Sequence, residues 1–320
     1  MARAQAGTRR SGPRSVQLTP DLLWKVFKRA FTGWWNDNVP RMGAALAYYT
    51  LFALAPVLIV SIAVAGLLFG AEAVRGEVVG QIEGLVGLQG AKAVQAMLEG
   101  AAKPSSSIPA TIIGVITFFL GATGAFLELQ ADLDTIWRVK PRSRGNFLQD
   151  LAMQRLISFG LVLGFAFLLL TSLIVSAALA ALYTYMGNAF PGVAILWEAL
   201  NVIVSLGVIT LLFAMIYKVL PDVKLGWREV WVGALVTAGL FSVGKLLIGL
   251  YLGTTSMAST YGAAGSVIII LVWVYYSAQI ILLGAEFTRA YVEQFGRRPP
   301  PEDFAVKDKS GKSRPSGKVI

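Results

Sequence analysis

The sequence predicts an all-α polytopic membrane protein with six transmembrane helices, and three observations carry that prediction. Predominantly apolar runs long enough to cross a bilayer recur six times along the 320 residues. The connections between them alternate between rich and poor in Lys and Arg. Finally, 56% of residues are hydrophobic and 14% charged, against about 45–50% and 25% in an average soluble domain.

A helix rises about 1.5 Å per residue, so a hydrocarbon core of about 30 Å takes about 20 apolar residues. Six stretches meet that length, at about 42–69, 108–128, 156–182, 199–219, 229–252 and 262–288. Residues 1–18 form a basic tail poor in apolar residues, expected to be disordered near anionic lipid. The first 40 residues are too polar for the apolar core of a cleavable signal peptide, so the first span is expected to be kept as an anchor. Before it, "TPDLLWKVFKRAFTGWW" offers Thr19 as N-cap and Pro20 at the first helical position. Leu22, Leu23, Val26, Phe27, Ala30, Phe31 and Trp34 then recur at helical spacing opposite Lys25, Lys28 and Arg29, which predicts an amphipathic interfacial helix. Residues 71–107 are the one sizeable segment between spans on the outer side. Their pattern predicts two short amphipathic helices broken near Gly87–Gly90, serving as a plain cover or a substrate-binding lid. From 292 to 320 the chain reads as a second disordered basic tail, leaving 19–291 as the membrane domain.

Lys and Arg accumulate on the cytoplasmic side of bacterial membranes. The segment through Arg41 carries eight, the second connection five (Arg138, Lys140, Arg142, Arg144, Arg155), the fourth three (Lys218, Lys224, Arg228), and the segment from Arg289 eight. The first connection sets three against four Glu, and the third and fifth have none. This alternation predicts that both termini are cytoplasmic. The net charge of +10 is then mostly a topology signal, and nucleic acid is not an expected partner.

With no cysteine and no histidine, disulfides, thiolate sites and the commonest general base are absent, which weighs against most enzymes. No Walker-type phosphate loop, G-x-G-x-x-G after a strand or zinc spacing occurs, so neither a cofactor nor a metal is expected. Asp132 and Asp134, at i and i+2 of a helix, point to different faces and would not converge on one metal.

A charge inside a bilayer costs several kcal/mol unless it meets water, an interface or a partner, so intramembrane polar groups are the candidate site. Lys245 lies roughly 24 Å from the inner end of the fifth span. It is either a snorkelling lysine or an inward-facing one at the depth of Glu198 and Asn201. Glu286, roughly 36 Å from the outer end of the sixth span, and Glu128 are each a functional carboxylate or a marker of the inner boundary. Arg289 follows Glu286 at i+3, within reach of an ion pair. Tyr48, Tyr49 and Gln279 complete a polar group in the inner half, with Gln130 just beyond Glu128. Pro56 removes a backbone hydrogen bond near the middle of the first span and is the candidate kink beside a water-filled cavity. Small residues such as Gly124, Gly233 and Gly244 allow close helix packing.

"AALAYYTLFALAPVLIV" (44–60), "YKVLPDVKLGWREVWVGALVTAGLFSVGKLLIGLYLG" (217–253) and "YGAAGSVIIILVWVYYSAQIILLGAEFTRAY" (261–291) resemble the YihY/BrkB family of bacterial inner-membrane proteins. The likeness runs from about Trp34 to Tyr291. It implies a multi-pass plasma (inner) membrane protein of poorly defined activity, associated with serum resistance and envelope phenotypes, proposed to transport solutes or ions, and formerly labelled ribonuclease BN-like. By that likeness Asp37, Tyr48, Tyr49, Pro56, Pro221, Gly233, Lys245, Tyr261, Gly262, Gly284 and Glu286 fall on motif positions, and no role transfers to Asp132 or Asp134. The favoured expectation is a transporter or channel-like protein for a small solute or ion, with Lys245 on the outer side and Glu286, Glu128, Gln279 and Tyr48 at the cytoplasmic exit. The alternative is a non-transporting envelope scaffold that binds lipid, including anionic headgroups, or envelope partners. A membrane-associated ribonuclease finds no support in these residues. The oligomeric state stays open.

Overall fold

The computed structural model describes residues 20–69, 124–141, 194–254, 265–295, 299–302 and 305–307, with positions 76, 80, 83, 88 and 91–95 between them. The expected span at 156–182, Tyr261 and both chain ends lie outside the described residues, and at Pro56, Glu198 and Asn201 only a helical backbone is described.

Among the described residues six long helices carry the fold: α1 (Pro20–Asn36) and α2 (Val39–Phe69), α3 (124–137), α4 (Ala194–Val219), α5 (Trp227–Thr254) and α6 (Gly265–Gln294). Two three-residue strands, β1 (Val139–Pro141) and β2 (Ala305–Lys307), complete it. Among the described residues, Val202–Val219, Trp227–Tyr251 and Val267–Gln294 are long and apolar enough to cross a membrane. α2, α4, α5 and α6 cover the predicted spans 42–69, 199–219, 229–252 and 262–288 to within about six residues, while of 108–128 only 124–128 is described, as the start of α3, which runs on to 137.

α6 is the hub, since α1, α2 and α5 all pack on it, while α4 packs on α5. Small side chains let the backbones close in: a Cβ at Gly233 would meet Thr288, one at Gly244 would meet Tyr276, and one at Gly124 would meet Tyr49. Around these contacts Leu133 and Ile136 of α3, Tyr217 of α4, Val230 and Ala234 of α5, and Leu282 and Ala285 of α6 form one buried core.

α1 shows why its sequence is amphipathic. Val26, Ala30 and Gly33, spaced at i, i+4 and i+7, are its buried face, and the first two meet Phe287 and Ala290 of α6. Leu23, Trp24, Phe31 and Trp35 stay exposed. Small residues of the stripe thus dock the helix, Phe27 and Trp34 pack partly buried beside them, and Leu23 and Phe31 face outward.

α5 begins with a capping arrangement in which the Gly226 N–H donates to Glu229 Oε2 at 2.9 Å, satisfying a donor that the first helical turn leaves free. At the opposite end of α5 and α6, Ala93 and Val94 of the exterior segment are buried against Ile248, Ile269 and Ile270.

The C-terminal segment departs from the disordered tail expected from residue 292. α6 runs to Gln294, Val223 bridges Pro301, and β2 pairs antiparallel with β1 in the register Val139 to Lys307 and Pro141 to Ala305. The Lys224 N–H donates to the Pro300 carbonyl and the Glu302 N–H to that of Asp222, both at 3.0 Å. The physical reason is that edge groups at 139–141 and 222–224 complete their backbone hydrogen bonds with this segment, which composition alone cannot reveal.

Candidate functional site

The site is assembled where α1 turns into α2, beside the C-terminal ends of α3 and α6. Two residues in the left-handed backbone region mark the turns, Asn38 (φ 55°) and Arg138 (φ 57°). Asn tolerates that region because its short side chain crowds the backbone little. Here it ends α1, with the Asp37 N–H donating to the Gly33 carbonyl at 2.8 Å and the Asn38 N–H to that of Trp35 at 3.2 Å. Arg138 has no such intrinsic ease, so its conformation is held by what its side chain reaches.

What it reaches is Asp37. Arg138 Nη2 donates to Asp37 Oδ1 at 2.6 Å, and Arg289 Nη1 donates to Asp37 Oδ2 at 3.2 Å, with the Asp37 side chain only 3% exposed. Arg289 Nη1 also donates to the Ile136 carbonyl at the end of α3, and its Nη2 stands 3.3 Å from Glu286 Oε2. Glu293, one turn further along α6, lies 3.9 Å from Arg289 Nε. Two acidic and two basic side chains thus form a chain from Glu286 through Arg289 and Asp37 to Arg138. Only such pairing makes burial of these charges tolerable.

Glu286 is the deep end of that chain. It is 1% exposed, and neither oxygen has a hydrogen bond beyond the Arg289 contact. Gly33 is what admits it, since a Cβ there would lie 2.3 Å from Glu286 Oε2. Gln279, two turns earlier on α6, fastens the α1–α2 turn by accepting from Trp34 Nε1 at 3.0 Å and donating to the Val39 carbonyl at 3.4 Å.

In front of the network lies a cavity of about 410 Å³. The α1–α2 turn contributes Asn36, Asp37 and Asn38; α2 contributes Arg41, Met42 and Ala45; α3 and its end contribute Glu128, Ala131, Asp132, Thr135 and Arg138. Glu128 and Asp132 are one helical turn apart on the same face. Asp132 is 5% exposed and its Oδ2 has no hydrogen-bond partner. Burial, and then the charge of Glu128, push its carboxyl up to about 7.

Asp134 points the other way. It accepts from the Asp222 N–H at 2.8 Å, and Gln130 donates to Asp222 Oδ1 at 3.1 Å. Burial pushes Asp134 up to about 8, against the lowering effect of that N–H, and burial also raises Asp222. Asp132 and Asp134 therefore do not converge, as their i, i+2 spacing predicts. Among the described residues no group of three or more acidic ligands stands ready for a metal ion.

The other candidates scatter. Tyr48 and Tyr49 are exposed on α2 at 58% and 40%, their rings edge to face at 5.7 Å. Lys245 is half-buried on α5 at the far end of the bundle and does not line the cavity. Glu286 and Gln279 stand behind the cavity wall, and of the predicted polar set Glu128 alone lines it. Sequence reasoning missed Arg138 and Arg289 as the partners that bury Asp37, because both read as topology charges. The available signal was Asp37 itself, an acid between two Asn where an aromatic helix ends. A second buried group, Tyr217 donating to the Ile281 carbonyl at 2.7 Å and 3.0 Å from Thr237 Oγ1, ties α4 to α5 and α6 and was also missed.

Comparison with known proteins places these residues in a family. The family described as Virulence factor BrkB matches residues 30–307. A UPF0761 membrane protein of Psychrobacter sp. (strain PRwf-1) is 28% identical over 271 residues, 84% of this chain and 48% of the relative. One from Pseudomonas paraeruginosa is 29% identical over 253 residues, 78% of this chain and 58% of the relative. One from Pseudoalteromonas translucida is 27% identical over 273 residues, 82% of this chain and 87% of the relative. The chain thus spans about half the length of the first two relatives and most of the third. No solved structure matches it. Since the match takes in Gly33, Asp37, Arg138, Glu286 and Arg289, the ion network lies wholly inside the shared region, and the chain is a membrane protein of the BrkB family.

Proposed function

We propose that this protein is a transporter or channel-like protein of the bacterial inner membrane, for a small solute or ion, serving the cell envelope without catalysing a covalent reaction. In this reading six spans cross the membrane with both termini in the cytoplasm. The observation that carries it is the 410 Å³ cavity, walled by charged and polar side chains at the end where α1, α3 and α6 meet. A purely structural bundle has no use for a recess walled by charged side chains, whose desolvation is costly where water does not reach them. Pathways through membranes, by contrast, need polar walls reachable by water. By the charge alternation of the connections this end is the cytoplasmic one, so the cavity is an inner vestibule with Glu128 on its wall, and the Glu286 network holds its shape from behind. Lys245, the one Lys or Arg deep inside a predicted span rather than at its end, is the candidate polar group of the outer half.

Reconstitution in proteoliposomes tests this directly, with efflux of loaded K⁺, Cl⁻ and radiolabelled amino acids measured in parallel. Wild-type protein is expected to carry at least one of them, and Glu128→Gln and Lys245→Met each to reduce that flux about tenfold while chromatographing as folded protein. No flux in any arm removes the transport reading and leaves an anchored scaffold.

A further inference from the structure

Asp132 is a buried carboxyl on the cavity wall that the charge network does not pair. Asp37 is matched by two guanidiniums, and Arg138 by Asp37. Asp132 has no such match: it is 95% buried by the complement of its 5% exposure, and its Oδ2 meets neither a donor nor bulk water. A carboxylate in that position would carry an uncompensated charge at a cost of several kcal/mol, and a carboxyl group avoids the cost by keeping its proton.

The surrounding charges set how firmly. On its own helix Glu128 is one turn away and repels a second negative charge, while Asp134 points to the opposite face and holds Asp222. Across the cavity stand Asp37 on the α1–α2 turn and Arg41 on α2, with Arg138 at the end of α3. Arg138 is committed to Asp37 at 2.6 Å. Among the described residues no ion pair joins Arg41 to Asp132, and no third carboxylate completes a metal cage. A proton is the cation that needs no cage.

We propose that Asp132 is a proton-binding site served from the cytoplasm through this cavity, with Glu128 as the carboxylate that passes the proton between water and Asp132. Protonation leaves Asp132 neutral against the network, and release puts a second negative charge beside Glu128 in the vestibule. The raised value of about 7 agrees with exchange near cytoplasmic pH. The proposal rests on the transport reading for its use, as the site of the coupling ion, but the site itself is testable apart from any transport.

Infrared spectroscopy of the full chain in lipid provides that test, by following the C=O stretch of protonated carboxyl groups across a pH titration. The wild-type minus Asp132→Asn difference is expected to show a band with a midpoint near 7, which moves to its deuterated position promptly after transfer to D2O. Glu128→Gln, which leaves Asp132 in place, is expected to lower the midpoint by removing the repulsion and to slow the exchange. A midpoint in the ordinary carboxylate range of about 4, a titrating band unchanged in Asp132→Asn, or a band that does not exchange would each overturn the proposal. Should Asp132→Asn fail to fold, the Glu128→Gln shift decides alone. Absence of flux in proteoliposomes would instead remove the transport reading while a titrating Asp132 band stood.

Discussion

Arg289 is where the fold is most exposed to a single change. Arg289→Met keeps the helix propensity and the length of the stem, and removes four contacts at once: to Asp37, to Glu286, to the Ile136 carbonyl and to Glu293. At separations of 3.2 and 3.3 Å, each of the two closest pairs is worth roughly 5 kcal/mol of gross attraction at an effective dielectric of about 20. Desolvation of the same groups offsets much of that gain. What the deletion exposes is the remainder, a carboxylate at 1% exposure with no other donor and an orphaned carbonyl. Breaking a buried pair from one side costs about 3–5 kcal/mol, so Arg289→Met should unfold at clearly lower denaturant.

The assay is equilibrium unfolding in detergent micelles, followed by the fluorescence of the eight tryptophans, one of which, Trp34, is hydrogen-bonded to Gln279 beside the network. The double variant Arg289→Met with Glu286→Gln should recover about 1–3 kcal/mol, because a neutral amide replaces the stranded charge. A loss below about 1 kcal/mol in the single variant would refute the reasoning. So would a double variant as unstable as the sum of the two singles.

Other outcomes follow from the same geometry. Gly33→Ala places a Cβ 2.3 Å from Glu286 Oε2, and should lower the melting temperature in detergent through about 1–3 kcal/mol of overpacking. Tyr217→Phe removes the donor to Ile281 from a side chain 1% exposed, for an expected loss of about 1–3 kcal/mol by denaturant titration. Asp132 and Asp134 have folded values of about 7 and about 8, above the ordinary 3.8. The folded chain therefore keeps protons that the unfolded chain has released, so the contribution of these two groups to stability should be largest below about pH 4, decline as pH rises from there through 7 and 8, and then level off. Asp134→Asn should flatten the upper part of that decline, and a stability that instead rises over this range would contradict the burial assigned to both groups.

The helical membrane character of this chain and the approximate positions of α1, α2, α4, α5 and α6 were legible in its residues alone. Twenty apolar residues in a row have few other solutions, Pro221 and Gly226 bracket the α4–α5 connection, and Asn36, Asp37 and Asn38 break α1 from α2. Those are local signals, settled by hydrogen bonding and hydrophobicity within a dozen residues. The site was legible only as a set of suspects. Glu128 and Asp132 carry their relation in their spacing, and Glu286 and Arg289 in theirs, because i, i+3 and i, i+4 neighbours share a face in any helix.

Tertiary structure alone decided that Arg138 and Arg289 meet on Asp37, 101 and 252 residues away along the chain, and that Gly33 makes room for a carboxylate of α6. It also decided that a polar C-terminal stretch becomes the edge partner of β1. A basic residue facing the cytoplasm and one neutralising a buried acid are the same letter in the sequence. What separates them is desolvation, which depends on every helix that closes around the charge and is therefore a property of the assembled bundle.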